Sequence, residues 1–233
     1  MEIFANSAHF AVTLSLVLFL LGAMLQKKWN FVLLNPLILS TAGTILFLLA
    51  LDIPYETYEE GTGILKFFLT PATVCLAVPL YEKMDLLKKH PVALLTGSIS
   101  GVILALGSIF IMSLAWGLES GMFATLLPKS ITTAIAMELS GKLGGVPAVA
   151  ATGVMVTGIF GYVTAVWVLK LCRITDPIAR GVAIGTSCHV IGTSRALEIG
   201  ETEGAMSSLS LTVAGIVTAL LAPMFMKMYG ICL

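Results

Sequence analysis

Fourteen consecutive residues, Gly185 to Glu198, hold four hydroxyls (Thr186, Ser187, Thr193, Ser194), two glycines, His189, Arg195 and Glu198. This set suits the binding of a small oxygen-rich anion. The guanidinium of Arg195 can grip a carboxylate through two parallel hydrogen bonds. A histidine side chain ordinarily titrates near neutral pH, which makes His189 a candidate proton carrier. Glu198, three residues beyond Arg195, is either its ion-pair partner or a second proton carrier. Two plainer readings stand beside these: an Arg195 that reaches for the membrane interface from near a helix end, and a His189 that is a satisfied buried side chain.

A second polar cluster, Pro128 to Thr133, offers Lys129, Ser130, Thr132 and Thr133. Glu138 follows late in the same apolar segment. An intramembrane carboxylate is costly and by default marks function, so Glu138 is a proton-coupling candidate beside His189 and Glu198. Its alternative is a helix-end carboxylate already in water. Thr73 is the candidate of a third cluster, Thr70-Pro71-Ala72-Thr73.

These clusters lie in a chain that otherwise reads as membrane. Of its 233 residues 58% are hydrophobic and 11% charged, against about 25% charged in soluble domains. Mean hydropathy is +1.00. Net charge is zero and no basic face is visible, so the expected partner is the lipid bilayer and not nucleic acid. The first apolar stretch ends at Lys27-Lys28 rather than at a small-residue cleavage site, which predicts a retained helix and not a signal peptide. The four cysteines are scattered without a CxxC pair, so neither a metal site nor a disulfide framework is predicted. No Gly-x-Ser-x-Gly elbow, HExxH or phosphate-binding loop is present, and neither an enzyme nor a cofactor is expected.

The elements that must position the clusters are helices. Apolar segments predict an all-α polytopic protein with seven or eight hydrophobic segments in a single domain, 1–233, with possible repeat halves 1–116 and 117–233. Clean segments (91–116, 147–171, 206–228) alternate with broken ones, interrupted at 70–73, at 128–130 and within 185–194. The broken segments share Pro, hydroxyl and Ala positions at an offset of 57, as Pro71 and Pro128 show. Paired interrupted helices in repeated units point to a secondary-transporter site. Freed N–H groups at half-helix starts attract anions. Lys and Arg collect on the cytoplasmic side. Lys170, Arg173 and Arg180 fall on the same side as Lys88 and Lys89 only if 121–140 dips in and returns as a re-entrant hairpin. The small-residue run Gly97 to Gly101 suits close packing against a second copy in a homodimer.

The runs Leu127 to Glu138, Gly144-Gly145 with Pro147, Arg180 to Glu198, Asn35-Pro36, Pro71 to Tyr81 and Glu203 to Leu209 resemble the LrgB/CidB family over essentially the full chain. The resemblance implies a multi-pass protein of the bacterial inner membrane. It implies an antiholin-like or holin-associated role, tied to murein hydrolase activity and lysis, with a smaller partner of the LrgA/CidA type. The family is also similar to the membrane half of the plastid glycolate/glycerate translocator, and some relatives are associated with pyruvate uptake. Ala134 stands where members often carry a second proline, and Val190 where they carry Gly or Ala. The residues favour transport of a small monocarboxylate: a lysis regulator leaves the polar load at the breaks unexplained.

Overall fold

A computed structural model describes residues 8–29, 36–75, 78, 81 and 84–232. All regular structure among them is helical: α1 (Ala8–Trp29), α2 (Pro36–Ala50), α3 (Tyr55–Gly61), α4 (Gly63–Cys75), α5 (Met84–Lys89), α6 (Pro91–Trp116), α7 (Ser120–Leu126), α8 (Thr133–Lys142), α9 (Pro147–Leu171), α10 (Pro177–Ile199) and α11 (Glu201–Cys232). Four are long and apolar enough to cross a membrane: α1, α6, α9 and α11. The chain divides into two compact units, Met1–Ala72 and Thr73–Leu233.

In the first unit α1 and α2 pack as a helical pair, with Gly22 close against Pro36 and Gly43 against Leu18. The acidic stretch 52–60, whose composition predicts an aqueous loop, contains most of helix α3. The run from Tyr55 to Gly61 has no internal breaker, and the Tyr58 hydroxyl is tied to Ser15 Oγ of α1 at 2.7 Å. The break expected at 70–73 is absent. Helix α4 runs through Pro71 to Cys75, losing one backbone bond at the proline while the flanking turns hold. Pro79, where the sequence also predicts an interruption of this segment, lies outside the described residues.

The second unit carries the polar clusters at 128–133 and 185–198. Helix α6 ends at Gly117, whose φ of 61° closes a left-handed cap. Beyond it α7 and α8 fold back on each other around Leu127–Thr132. Gly121 faces the Gly144 carbonyl, and the Val146 N–H donates to Thr125 Oγ1 at 2.8 Å. Both ends of this hairpin therefore lie at one end of the bundle, near Leu118, and its tip points inward.

Helix α10 is a second hairpin. Asp176 caps it by accepting from Ala179 N–H at 2.8 Å, with Pro177 in the first turn. Its run is broken at His189, with φ 43° and ψ −141°. A straight helix would separate Gly181 from Leu197 by about 24 Å. Instead, both touch the first turn of α11, Gly181 against Glu203 and Leu197 against Gly204. Gly192 lies on Ile184 and Cys188, and Ile184 shares a buried cluster with Ala196, Ala165 and Leu169. Both ends of α10 thus lie at the opposite end of the bundle, near Asp176.

The long helices tie the two ends together. Near Leu118, Tyr229 of α11 stacks on Phe123 of α7 at 4.0 Å, and its hydroxyl donates to Leu118 O at 2.6 Å. This end holds the largest apolar core, with Phe110, Leu127, Ile131 and Val154. Near Asp176, Leu94, Val182, Met206 and Leu209 form a second cluster. A hairpin followed by a long helix occurs twice, at 120–171 and 177–232, in opposite senses. The small residues Gly97 and Gly101, read above as a surface for a second copy, receive Val182 and Thr186 of the same chain's α10.

Candidate functional site

The two hairpin tips meet near the middle of the long helices. His189 packs against Gly158 of α9, while Lys129 packs near Gly153 of the same helix. Glycine at 158 leaves room for the imidazole: a Cβ there would lie 2.5 Å from His189 Cε1. The left-handed backbone at His189 costs about 1–3 kcal/mol for a non-glycine residue. The buried ring offsets part of this through a 2.9 Å hydrogen bond between Nε2 and Val154 O.

A cavity of about 880 Å³ lies against the tips, walled by α6, the first arm of α10, and Lys129 and Ser130. It extends from Ala93 and Asp176 at one end of the bundle to Ser108, Lys129 and Ser187 at the tips. Its hydroxyls donate inward to their own helices: Thr96 to Val92 O (2.5 Å), Ser100 to Gly97 O (3.1 Å), Ser108 to Ala105 O (2.8 Å), Thr186 to Val182 O (2.7 Å) and Ser187 to Ala183 O (2.6 Å). Their remaining acceptor lone pairs can face the cavity. Lys129 is the cation of this wall, and among the described residues no carboxylate lies within ion-pair distance of it. One deep positive charge beside a row of hydroxyls can neutralise and hydrate a small anion. Ser187 also lines a smaller cavity of about 270 Å³ between α9 and α10.

The predicted residues thus separate into groups. Lys129, Ser130, Thr186 and Ser187 share the cavity. Thr132, buried, and Thr133, half-buried, form the start of α8 behind Lys129. Thr193 ties the second arm of α10 to α11 through a 2.8 Å bond to Ser207 Oγ. Ser194 turns outward and donates to Ile191 O at 3.1 Å. Glu138 is exposed and paired with Lys142 at 2.6 Å. The side chain of Thr73 lies outside the described residues.

Arg195 and Glu198 form their own cluster on the second arm of α10. Arg195 Nη1 donates to Glu198 Oε2 at 2.5 Å, and the Tyr162 hydroxyl of α9 donates to Glu198 Oε1 at 2.7 Å. The guanidinium carbon lies 5.6 Å from the Tyr162 ring centre, within cation–π range. The carboxylate that Arg195 holds here is Glu198. This cluster clamps the arm to α9. Replacing Glu198 by Gln should therefore lower the stability of the detergent-solubilised protein by about 2 kcal/mol, since it strands a three-quarters-buried guanidinium. Tyr162→Phe, which removes one neutral donor, should cost about 1 kcal/mol. Equal melting temperatures for Glu198→Gln and the parent in a thermal unfolding assay would remove the clamp.

Sequence reasoning missed Tyr162, which sits unmarked in an apolar helix, and the buried Glu203, which faces Arg180 at 3.8 Å. It also missed Thr96, Ser100 and Ser108. Their spacing of four and eight puts them on one helical stripe, a signal legible in the sequence. Among the described residues no three His, Cys, Asp or Glu side chains converge as a metal site.

The sequence model described as "LrgB-like family" matches residues 15–228. The antiholin-like protein LrgB of Bacillus cereus strain B4264 is 36% identical over 223 residues, 95% of this chain and 97% of that protein. The protein of the same name from Bacillus anthracis strain A0248 matches with the same identity and coverage. No solved structure matches.

Proposed function

The chain belongs to the LrgB-like family, and on that premise we propose that it is a secondary carrier of small monocarboxylates, of the glycolate, glycerate and pyruvate kind, in the bacterial inner membrane. One observation supports this reading. Two helix breaks, reached from opposite ends of the bundle, meet beside one cavity whose lysine has no carboxylate partner among the described residues. In a bilayer, α7–α8 and α10 are then re-entrant hairpins, and their irregular tips are tolerated because a water-filled cavity satisfies them. Opposed hairpins at the midplane, each followed by a spanning helix, suit alternating access. Lys88, Lys89, Lys170, Arg173 and Arg180 gather near the Asp176 end, which the positive-inside rule assigns to the cytoplasm. The cavity therefore extends toward the cytoplasmic face.

A second reading is favoured by the relatives' names, which are antiholin-like and do not mention transport. In it the chain regulates murein hydrolase activity and lysis, acting with a small membrane partner of the LrgA/CidA type. The deciding experiment is uptake of radiolabelled glycolate and pyruvate into liposomes holding this chain alone, with and without a pH gradient. Saturable uptake is the expected result. Empty-liposome rates under every condition would leave the antiholin-like reading in its place.

A further inference from the structure

We propose that the carboxylate seat is the first turn of α8 together with Lys129, and not the Arg195 fork. The inference deepens the carrier reading and rests on it for the identity of the anion. Helix α8 has ten residues, and its N-cap is Thr132, with the extended backbone a cap requires (φ −63°, ψ 145°). A threonine in this position ordinarily accepts from an N–H of the first turn. Here its side chain makes no capping bond. The hydroxyl is also buried without a partner: Thr132 is 6% exposed, and among the described residues nothing lies within hydrogen-bonding geometry of Oγ1.

A buried orphan hydroxyl is uncommon in a folded protein and calls for a missing partner. The first N–H groups of a helix have no acceptor within it, and the helix dipole adds positive potential there. The N–H groups of Thr133 and Ala134 stand beside the orphan hydroxyl. Three residues upstream, Lys129 adds a full charge without a carboxylate partner among the described residues. Pro128 and the bond from Ile131 N–H to Pro128 O hold the turn that connects them. Donors from a hydroxyl, a helix start and an ammonium thus collect at one tip. A small monocarboxylate supplies two acceptor oxygens and one negative charge, which is the complement.

Arg195 Nε is likewise buried without a partner among the described residues, but its Nη1 already holds the Glu198 carboxylate and no helix start stands beside it. Charge balance favours Lys129 as well: a bound anion neutralises an unpaired ammonium there, but at Arg195 it would have to displace Glu198.

The test is equilibrium binding of radiolabelled glycolate to the full chain in nanodiscs, beside uptake into liposomes from the same preparation. The parent should bind saturably. Lys129→Gln should weaken binding at least tenfold, and Lys129→Arg should restore most of it. Thr132→Val should weaken binding several-fold, while Thr132→Ser should match the parent. Thermal unfolding of each variant separates lost binding from lost fold, and the two conservative variants keep the test decisive if Lys129→Gln or Thr132→Val fails to fold. Parent-like binding by Lys129→Gln and Thr132→Val overturns the seat while uptake by the parent keeps the carrier. Failure of Lys129→Arg and Thr132→Ser to bind in the folded state also overturns it. Binding that follows the expected pattern without uptake supports the seat and overturns the carrier. Neither binding nor uptake by the parent overturns both.

Discussion

Cysteines placed at Glu119 and Lys142 should both react with a membrane-impermeant thiol reagent from one side of the bilayer, and cysteines placed at Thr175 and Glu201 should both react from the other. The four positions are exposed and flank the two hairpins. The background requires Cys75, Cys172, Cys188 and Cys232 to be replaced first. The expected effect is all-or-none, because a bilayer admits the reagent to one face at a time in sealed cells or oriented vesicles. It follows from neighbours in the fold. Gly121 lies beside Gly144, so the α7–α8 pair returns to where it began. Gly181 and Leu197 both lie on the start of α11, so α10 also returns. A pair that labels from opposite sides would mean that its hairpin spans, and the opposed-tip arrangement would then be lost.

The largest effect on folding should come from Gly185→Leu, which is expected to leave no folded protein after solubilisation and size-exclusion chromatography. Gly185 packs its Cα face directly on the Ser207 backbone of α11, where even a methyl group would overlap the Ser207 carbonyl and Ser210 Oγ. Gly185→Ala should already cost about 3 kcal/mol, since the obstacle is backbone and cannot rotate aside. The contrast is Gly107→Ala, where a Cβ meets nothing within 4 Å. Removing a mid-helix glycine there should be neutral or stabilising by about 0.5–1 kcal/mol. Similar behaviour of the Gly185 and Gly107 variants would show that the close α10–α11 crossing does not hold the protein together.

Much of the architecture was legible because lipid leaves the sequence few options. Helices α6, α9 and α11 follow from uninterrupted apolar length, and the α9–α10 turn from Thr175-Asp176-Pro177. The break in α10 was legible as a stretch but not as a residue. Nothing in the letters 185–198 singles out His189, whose ring fits against Gly158 on another helix. The break at Pro128 was legible from a proline followed by hydroxyls. Pro71 carried the same local signal, yet α4 continues through it. A proline weakens a helix, and whether the helix stops depends on its neighbours.

The candidate site was legible in residue type and less so in grouping. Lys129, Ser130, Thr186 and Ser187 line one cavity. Arg195 looked the strongest single residue because an arginine in an apolar chain invites a ligand. Its nearest carboxylate was three positions away all along, and spacing alone does not say which of the two claims the other. The hydroxyl stripe on α6 escaped notice because Ser and Thr also serve ordinary helix packing.

The dependence of α10 on α11 has a consequence for biogenesis. Helix α10 is not among the helices apolar enough to enter a bilayer unaided, and its first arm is buried against Ser207 and Ser210, which the ribosome makes later. The surface that receives this arm is thus the last part of the chain to be made, and a chain cut short before Glu201 should leave the arm without its packing partner.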